Sequence, residues 1–132
     1  MNRGIMSELG MLLKEKSILL VEDDRMLREI YRDMLLQFTP AIRTAENGRQ
    51  GLEMFFEETP DLIITDNDMP FVTGTQMITQ ILESDPGQKV LLMSGSLDEI
   101  YSPFVRYTGF GYIPKPFNAT KLTNKLIEIY DS

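Results

Sequence analysis

The sequence contains no histidine, no cysteine and no tryptophan. Without cysteine there is no disulfide framework and no thiolate metal site. Without histidine the chain cannot run serine–histidine catalysis, build an imidazole zinc site or donate a phosphoryl group from a phosphohistidine. Any phosphoryl chemistry here must be on the receiving side. Basic residues are also scarce. Thirteen Lys and Arg stand against twenty Asp and Glu, a formal net charge of -7. Such a surface repels phosphate backbones, so no direct contact with nucleic acid is expected. No apolar run approaches the roughly 20 residues needed to cross a bilayer, so no membrane partner is expected either. Met1 to Gly10 include Arg3 and Glu8 and no continuous apolar stretch, which is not a signal peptide. The expected location is the cytoplasm.

What remains is the composition of an ordinary globular domain. The chain has 132 residues, 42% of them hydrophobic and 25% charged. That length makes one domain with its own core.

Along the chain, short apolar runs alternate with stretches of helical period. Ile18-Leu19-Leu20-Val21 has no polar alternation, as expected of a strand buried on both faces. Asp24 is a candidate N-cap for a helix whose inner face carries Met26, Leu27, Ile30, Tyr31, Met34, Leu35 and Phe38. Thr39-Pro40 ends it. Residues 41–45 form a short strand, Asn47-Gly48 turns the chain, and Leu52, Phe55 and Phe56 mark a second helix stopped by Thr59-Pro60. Residues 62–65 are the third strand, 67–74 a loop, and 76–83 a third helix with Met77, Ile78, Ile81 and Leu82 inward. Asp85-Pro86-Gly87 is turn chemistry. Residues 90–93 and 110–113 are the fourth and fifth strands, with a fourth helix expected within 97–107. Leu122, Leu126, Ile129 and Tyr130 form the inner face of the last helix. Residues 1–16 stand apart as an N-terminal extension or linker helix, with Met6, Leu9, Leu12 and Leu13 at helical spacing; residues 17–132 form the main domain. Five βα units with continuous apolar strands predict an α/β fold, a doubly wound parallel sheet with helices on both faces.

Such sheets bind ligands beyond the carboxyl ends of their strands. There the sequence places Glu22-Asp23 after the first strand, Asp66 after the third, Ser94 after the fourth and Lys115 after the fifth. Taken singly, each has a plain reading. The acidic run can open a helix, Asp66 and Asp68 can form turns, Ser94 can cap a helix and Lys115 can be a surface lysine. Four strand ends each carrying a needed type is what favours a site. Three carboxylates within ~4–6 Å repel one another, and a divalent cation relieves the conflict. Hard oxygen ligands suit Mg²⁺, or Mn²⁺ in its place. With Lys115, three negative charges then meet three positive ones. A phosphoryl group is not repelled, and an Asp66 oxygen can attack it in line.

The ordered set Val21-Glu22-Asp23-Asp24, Asp66-Asn67-Asp68-Met69-Pro70, Ser94-Gly95, Tyr112 and Lys115-Pro116-Phe117 resembles the receiver domain of two-component response regulators, from about Ser17 to Tyr130. The resemblance implies the strand order 2-1-3-4-5. It implies that Asp66 is the phosphoacceptor and that Asp23 binds Mg²⁺ directly. Glu22 would act through a metal-bound water, and the Asp68 backbone carbonyl would be a further ligand. It makes Ser94 the switch hydroxyl, Tyr112 the switch aromatic and Lys115 a contact to the phosphoryl group. It implies a cis Lys115-Pro116 bond. The implied partners are a histidine kinase or phosphotransfer protein and a downstream output protein or domain. A homodimer could form through the face of the fourth helix, fifth strand and fifth helix, with Tyr101, Phe104 and Tyr107 offering aromatic contacts. The domain would be no enzyme beyond its own phosphorylation and dephosphorylation.

Three departures bear on that face. Pro114 precedes Lys115, which an edge strand tolerates. Pro103 falls inside the expected fourth helix, and Ser94 to Tyr112 is about one residue shorter than the family pattern. Pro103 predicts a helix starting near Ser102 as N-cap, with 95–101 irregular. Two other readings compete. A haloacid-dehalogenase-type phosphohydrolase also uses Asp-x-Asp after a strand, but there the motif comes first and an acidic motif follows the lysine. A pseudo-receiver would serve as an interaction module only. The chain reads as a stand-alone regulator or as a piece of a longer regulator or hybrid kinase.

Overall fold

A computed structural model of the chain describes residues 3–95 and 103–131. The strands are β1 (Ile18–Val21), β2 (Ile42–Ala45), β3 (Leu62–Asp66), β4 (Lys89–Ser94) and β5 (Phe110–Pro114). The helices are α1 (Arg3–Leu13), α2 (Arg25–Leu35), α3 (Gly48–Glu57), α4 (Gly74–Ser84) and α5 (Ala119–Asp131). All pairings are parallel, in the order β2-β1-β3-β4-β5. The strand order and the parallel sheet are those the sequence implied.

The sheet divides the core into two layers, because successive side chains of a strand point to opposite faces. Leu19, Val21, Ile63, Val90 and Leu92 pack on one face with Phe55 of α3 and Met77, Ile78, Ile81 and Leu82 of α4. Ile18, Leu20, Leu62, Ile64, Leu91 and Met93 pack on the other with Leu35 of α2 and Leu122, Leu126 and Ile129 of α5. Leu9 and Leu13 of α1 join this second layer, both fully buried. The extension is therefore an ordered helix lying against α5.

The starts of α2, α3 and α4 are capped. Asp24 accepts from Leu27 N–H at 3.0 Å. Asn47 accepts from Gln50 N–H at 2.8 Å, so the expected turn is also the first cap of α3. Thr73 and Gln76 form a reciprocal capping box that starts α4 at Gly74. The α2 face is narrower than expected. Met26 and Ile30 are 70% and 47% exposed, and α2 ends at Leu35, before Phe38. The seven-position stripe wraps more of the helix than the sheet can cover.

The expected Ser102 cap and Tyr101 lie outside the described residues. From Pro103 the chain makes a short 3₁₀ turn and further turns up to β5, not an α-helix reaching Arg106. Tyr107 N–H bonds Phe104 carbonyl at 3.0 Å. Phe104 is buried against Phe110, ring centroids 5.3 Å apart, so it belongs to the core and is not a contact for a partner. Tyr107 is half-buried.

Candidate functional site at the carboxyl rim of the sheet

Because β1, β3, β4 and β5 run in one direction, their carboxyl ends share one edge. Val21 pairs with Thr65, Asp66 with Met93 and Ser94 with Pro114. The edge therefore carries Glu22-Asp23, Asp66, Ser94 and Lys115 side by side. Glu22 and Asp66 are buried, while Asp23 is exposed. One oxygen from each of the three carboxylates lies within 4.8 Å of the others.

Lys115 Nζ sits among them, 2.7 Å from Asp66 Oδ1 and 3.8 Å from Glu22 Oε1. Its backbone is placed by the sheet, with Lys115 N–H bonding the Ser94 carbonyl at 2.8 Å. The Lys115-Pro116 bond is cis. Pro114 lies on the edge strand β5, where its missing N–H costs no ladder bond to a further strand. Ser94 is fully buried at the end of β4. Tyr112, two residues before Pro114, is half-buried on the α3–α4 face, with Lys125 Nζ 5.7 Å from its ring centroid.

The loop after Asp66 is held by main-chain bonds to Asn67, whose N–H donates to Met93 carbonyl at 2.9 Å. Its carbonyl accepts from Gly74 N–H at 3.1 Å, and its side chain accepts from Thr75 N–H at 2.9 Å. Gly74 has to be glycine: a Cβ there would lie 2.8 Å from the Asn67 Cα and closer still to the Asp66 carbonyl oxygen. Asp68 lies in this loop beside Asp66, so it shares the rim while its side chain forms no part of the three-carboxylate group.

Electrostatics mark the rim as unusual. Burial pushes the Glu22 carboxyl up to about 7, against the Asp24 N–H that it accepts, with the Asp66 charge and Asp23 adding to the rise. Burial also raises Asp66, and the Lys115 ammonium offsets only part of it. For Lys115 burial opposes the charge, but Asp66 and Glu22 outweigh it and its pKa is raised. Glu22 Oε1 and Asp66 Oδ1 are buried with only the Lys115 ion pairs to serve them among the described residues. Buried acceptors in that condition, made of hard carboxylate oxygen, fit a small divalent cation.

The sequence reading did not single out Arg28. It lies four residues after the Asp24 cap, so one turn of α2 returns it over the end of β1. That spacing was the available signal.

A family model described as the response regulator receiver domain matches residues 18–127. The chemotaxis protein CheY of Halobacterium salinarum is 30% identical over 115 residues, covering 86% of this chain and 96% of that protein. A probable C4-dicarboxylate response regulator, DctR of Bacillus subtilis, is 32% identical, but the match spans only 51% of its length. Among solved structures, a CheY-like receiver domain from Methanospirillum hungatei superposes with a TM-score of 0.77 at 27% identity, covering 88% of this chain and 94% of that one. The regulator TrrA of Thermotoga maritima, solved in complex with Mg²⁺-BeF, gives 0.73 at 29% identity, covering 86% and 98%. Residues 3–13, the α1 helix, lie outside the family match.

Proposed function

This chain belongs to the response regulator receiver domain family, and from that membership we propose that Asp66 accepts a phosphoryl group from a histidine kinase or phosphotransfer protein. The observation that carries the reading is the meeting of Glu22, Asp23 and Asp66 oxygens within 4.8 Å, with Lys115 Nζ 2.7 Å from Asp66.

An Asp66 carboxylate oxygen attacks phosphorus in line, the bond to the donor nitrogen or oxygen breaks, and an aspartyl phosphate forms. Lys115 is charged and close enough to Asp66 to hold an oxygen of the incoming group as its charge redistributes. The Ser94 hydroxyl, at the end of the neighbouring strand, donates to another. Glu22, Asp23, Asp66 and the Asp68 carbonyl would hold Mg²⁺ or Mn²⁺. Bound there, the cation would neutralise carboxylate charge and polarise the phosphoryl oxygens. The TrrA complex with Mg²⁺-BeF supports this choice of ion and group. The domain acts on itself and on no external substrate, and its place is the cytoplasm.

The phosphoryl group then acts as a ligand that shifts a population. Drawing the Ser94 hydroxyl towards Asp66 frees space beside β4, into which the Tyr112 ring turns. A shift from mostly out to mostly in takes roughly 5 kcal/mol of differential interaction. Charge-assisted hydrogen bonds and ring burial are of that order. The surface that changes is the β5–α5 side, available to an output partner or a second copy.

Incubation with phosphoramidate or acetyl phosphate and Mg²⁺ tests the reading. One stable phosphoryl group per chain is expected, lost in Asp66→Asn and without Mg²⁺. Rapid turnover of a small phosphate ester would make the chain a phosphohydrolase, and no reaction would make it an interaction module. For the switch, Ser94→Ala should still take up phosphate but lose the backbone NMR shifts that beryllofluoride induces near Tyr112. Identical shifts in variant and parent would remove the coupling.

A further inference from the structure

The Glu22 residue is held at nearly every polar atom. Its N–H donates to the Ala45 carbonyl at 3.0 Å, and its Oε2 accepts from Asp24 N–H at 3.1 Å. Its carbonyl accepts from Arg28 Nη1 at 2.8 Å. Only Oε1 is left for the rim, where it faces Lys115. The same Arg28 Nη1 lies 3.5 Å from the Asp23 carbonyl, and Nη2 lies 3.6 Å from Glu46 Oε1, just past β2. One guanidinium thus spans the ends of β1 and β2 and touches the main chain of both residues of the acidic pair.

Helix geometry explains the reach. Side chains of a helix lean towards its N-terminus, so a residue one turn in can return to the residues before the cap. Arg28 N–H bonds the Asp24 carbonyl at 2.9 Å, which fixes that turn. The Arg28 side chain is 14% exposed while Glu46 is 70% exposed. The short contact to the Glu22 carbonyl is thus partly sheltered from water, while the longer one to the Asp23 carbonyl is exposed and the outer ion pair is a weak surface contact. Lysine cannot copy this arrangement. Its ammonium has donors enough for the carbonyls but lacks the rigid fork whose second nitrogen reaches Glu46 at the same time.

We propose that Arg28 is a positioning residue for the cation: by fixing the main chain of Glu22 and Asp23 it sets where their carboxylates point. The inference rests on the reading of the rim as a Mg²⁺ site. It goes further in assigning part of that site's affinity to a side chain that touches neither the ion nor the phosphoryl group. Residues that orient metal ligands from behind typically change affinity by ~10–100-fold when removed.

The test uses the full chain with Arg28→Met and Arg28→Lys. Mg²⁺ affinity is measured by calorimetry, and labelling by phosphoramidate is measured at saturating Mg²⁺. Thermal melts in chelator confirm that each variant is folded. For Arg28→Met the Mg²⁺ Kd should rise about 10-fold, at the low end of such effects. The labelling rate at saturating Mg²⁺ should stay within about threefold of the parent, because only ion binding has been weakened. Arg28→Lys should weaken binding about threefold, since the carbonyl contacts can be kept in part while the rigid fork anchored on Glu46 is lost. If Arg28→Met does not fold, Arg28→Lys decides, and an unchanged Kd there overturns the inference. Parental Kd in either folded variant also overturns it, as does a slowed rate at saturating Mg²⁺ with parental Kd. A parent that binds no Mg²⁺ sinks the rim reading itself, and this inference with it.

Discussion

At the carboxyl rim, Glu22 and Asp66 are buried, each with one oxygen that only the Lys115 charge serves among the described residues, and burial raises both carboxyls. On the opposite flank of the same core layer, α1 lies against α5 through Leu9 and Leu13, which pack with Leu122 and Leu126. A polar group buried beside them, the Thr123 hydroxyl, is satisfied by the Ala119 carbonyl at 2.7 Å, whereas further along α5 the Tyr130 hydroxyl is buried with no hydrogen-bond partner among the described residues. Where α1 packs, the flank follows the rules of a stable core. The rim breaks them in a way that a cation and a phosphoryl group would repair. Local conflict of this kind marks a place kept for binding and not for stability.

The contrast can be broken first at the flank. Leu13→Ala removes a fully buried side chain and leaves a cavity between α1 and α5. Urea unfolding should show a loss of about 2–4 kcal/mol, with labelling of the folded protein unchanged. A loss within error of zero would mean that α1 is not part of the core.

At the rim the sign should reverse. The metal-free fold keeps a proton on Glu22 up to about 7, whereas the unfolded chain loses it near 4.5. The folded state binds more protons over that window, so stability falls as pH rises through it. Glu22→Gln should therefore stabilise the metal-free protein by about 1–2 kcal/mol above that window and change little below it. It should also weaken Mg²⁺ binding, so the advantage shrinks as Mg²⁺ is added. Urea melts across pH, with and without Mg²⁺, measure both. A Glu22→Gln protein that is less stable in chelator would remove the claim that the rim is strained.

The smallest effect belongs to the outer side of α1. Met11 is 82% exposed and touches none of the flank core, so Met11→Ser should stay within about 0.5 kcal/mol of the parent.

The same contrast explains what was readable in advance. The strands β1, β3 and β4 carry apolar runs too short to be a buried helix, and each site residue closes or follows a strand, so Asp66, Glu22, Asp23, Ser94 and Lys115 could be placed on one rim from the sequence alone. The α1 helix was visible as spacing alone. A helical stripe such as Leu9 and Leu13 does not say what it packs on, because its partners on α5 lie over a hundred residues away. The α2 stripe misled at Met26 and Ile30, since periodicity counts apolar residues but not the width of sheet beneath them. Arg28 was missed because its partners are main-chain carbonyls, which leave its place one turn after the Asp24 cap as the one trace in the sequence. The segment before β5 was misjudged at Phe104, whose aromatic ring serves the core as well as it would serve a partner.

The most direct measurement of the central claim locates the phosphoryl group itself. The protein is treated with phosphoramidate and Mg²⁺, then reduced with borohydride, which converts an aspartyl phosphate to homoserine. Peptide mapping should find homoserine at position 66 and nowhere else, and none when Mg²⁺ is withheld. Homoserine at Asp23 or Asp68, or none at all in the presence of Mg²⁺, would contradict the assignment of Asp66 as the phosphoacceptor.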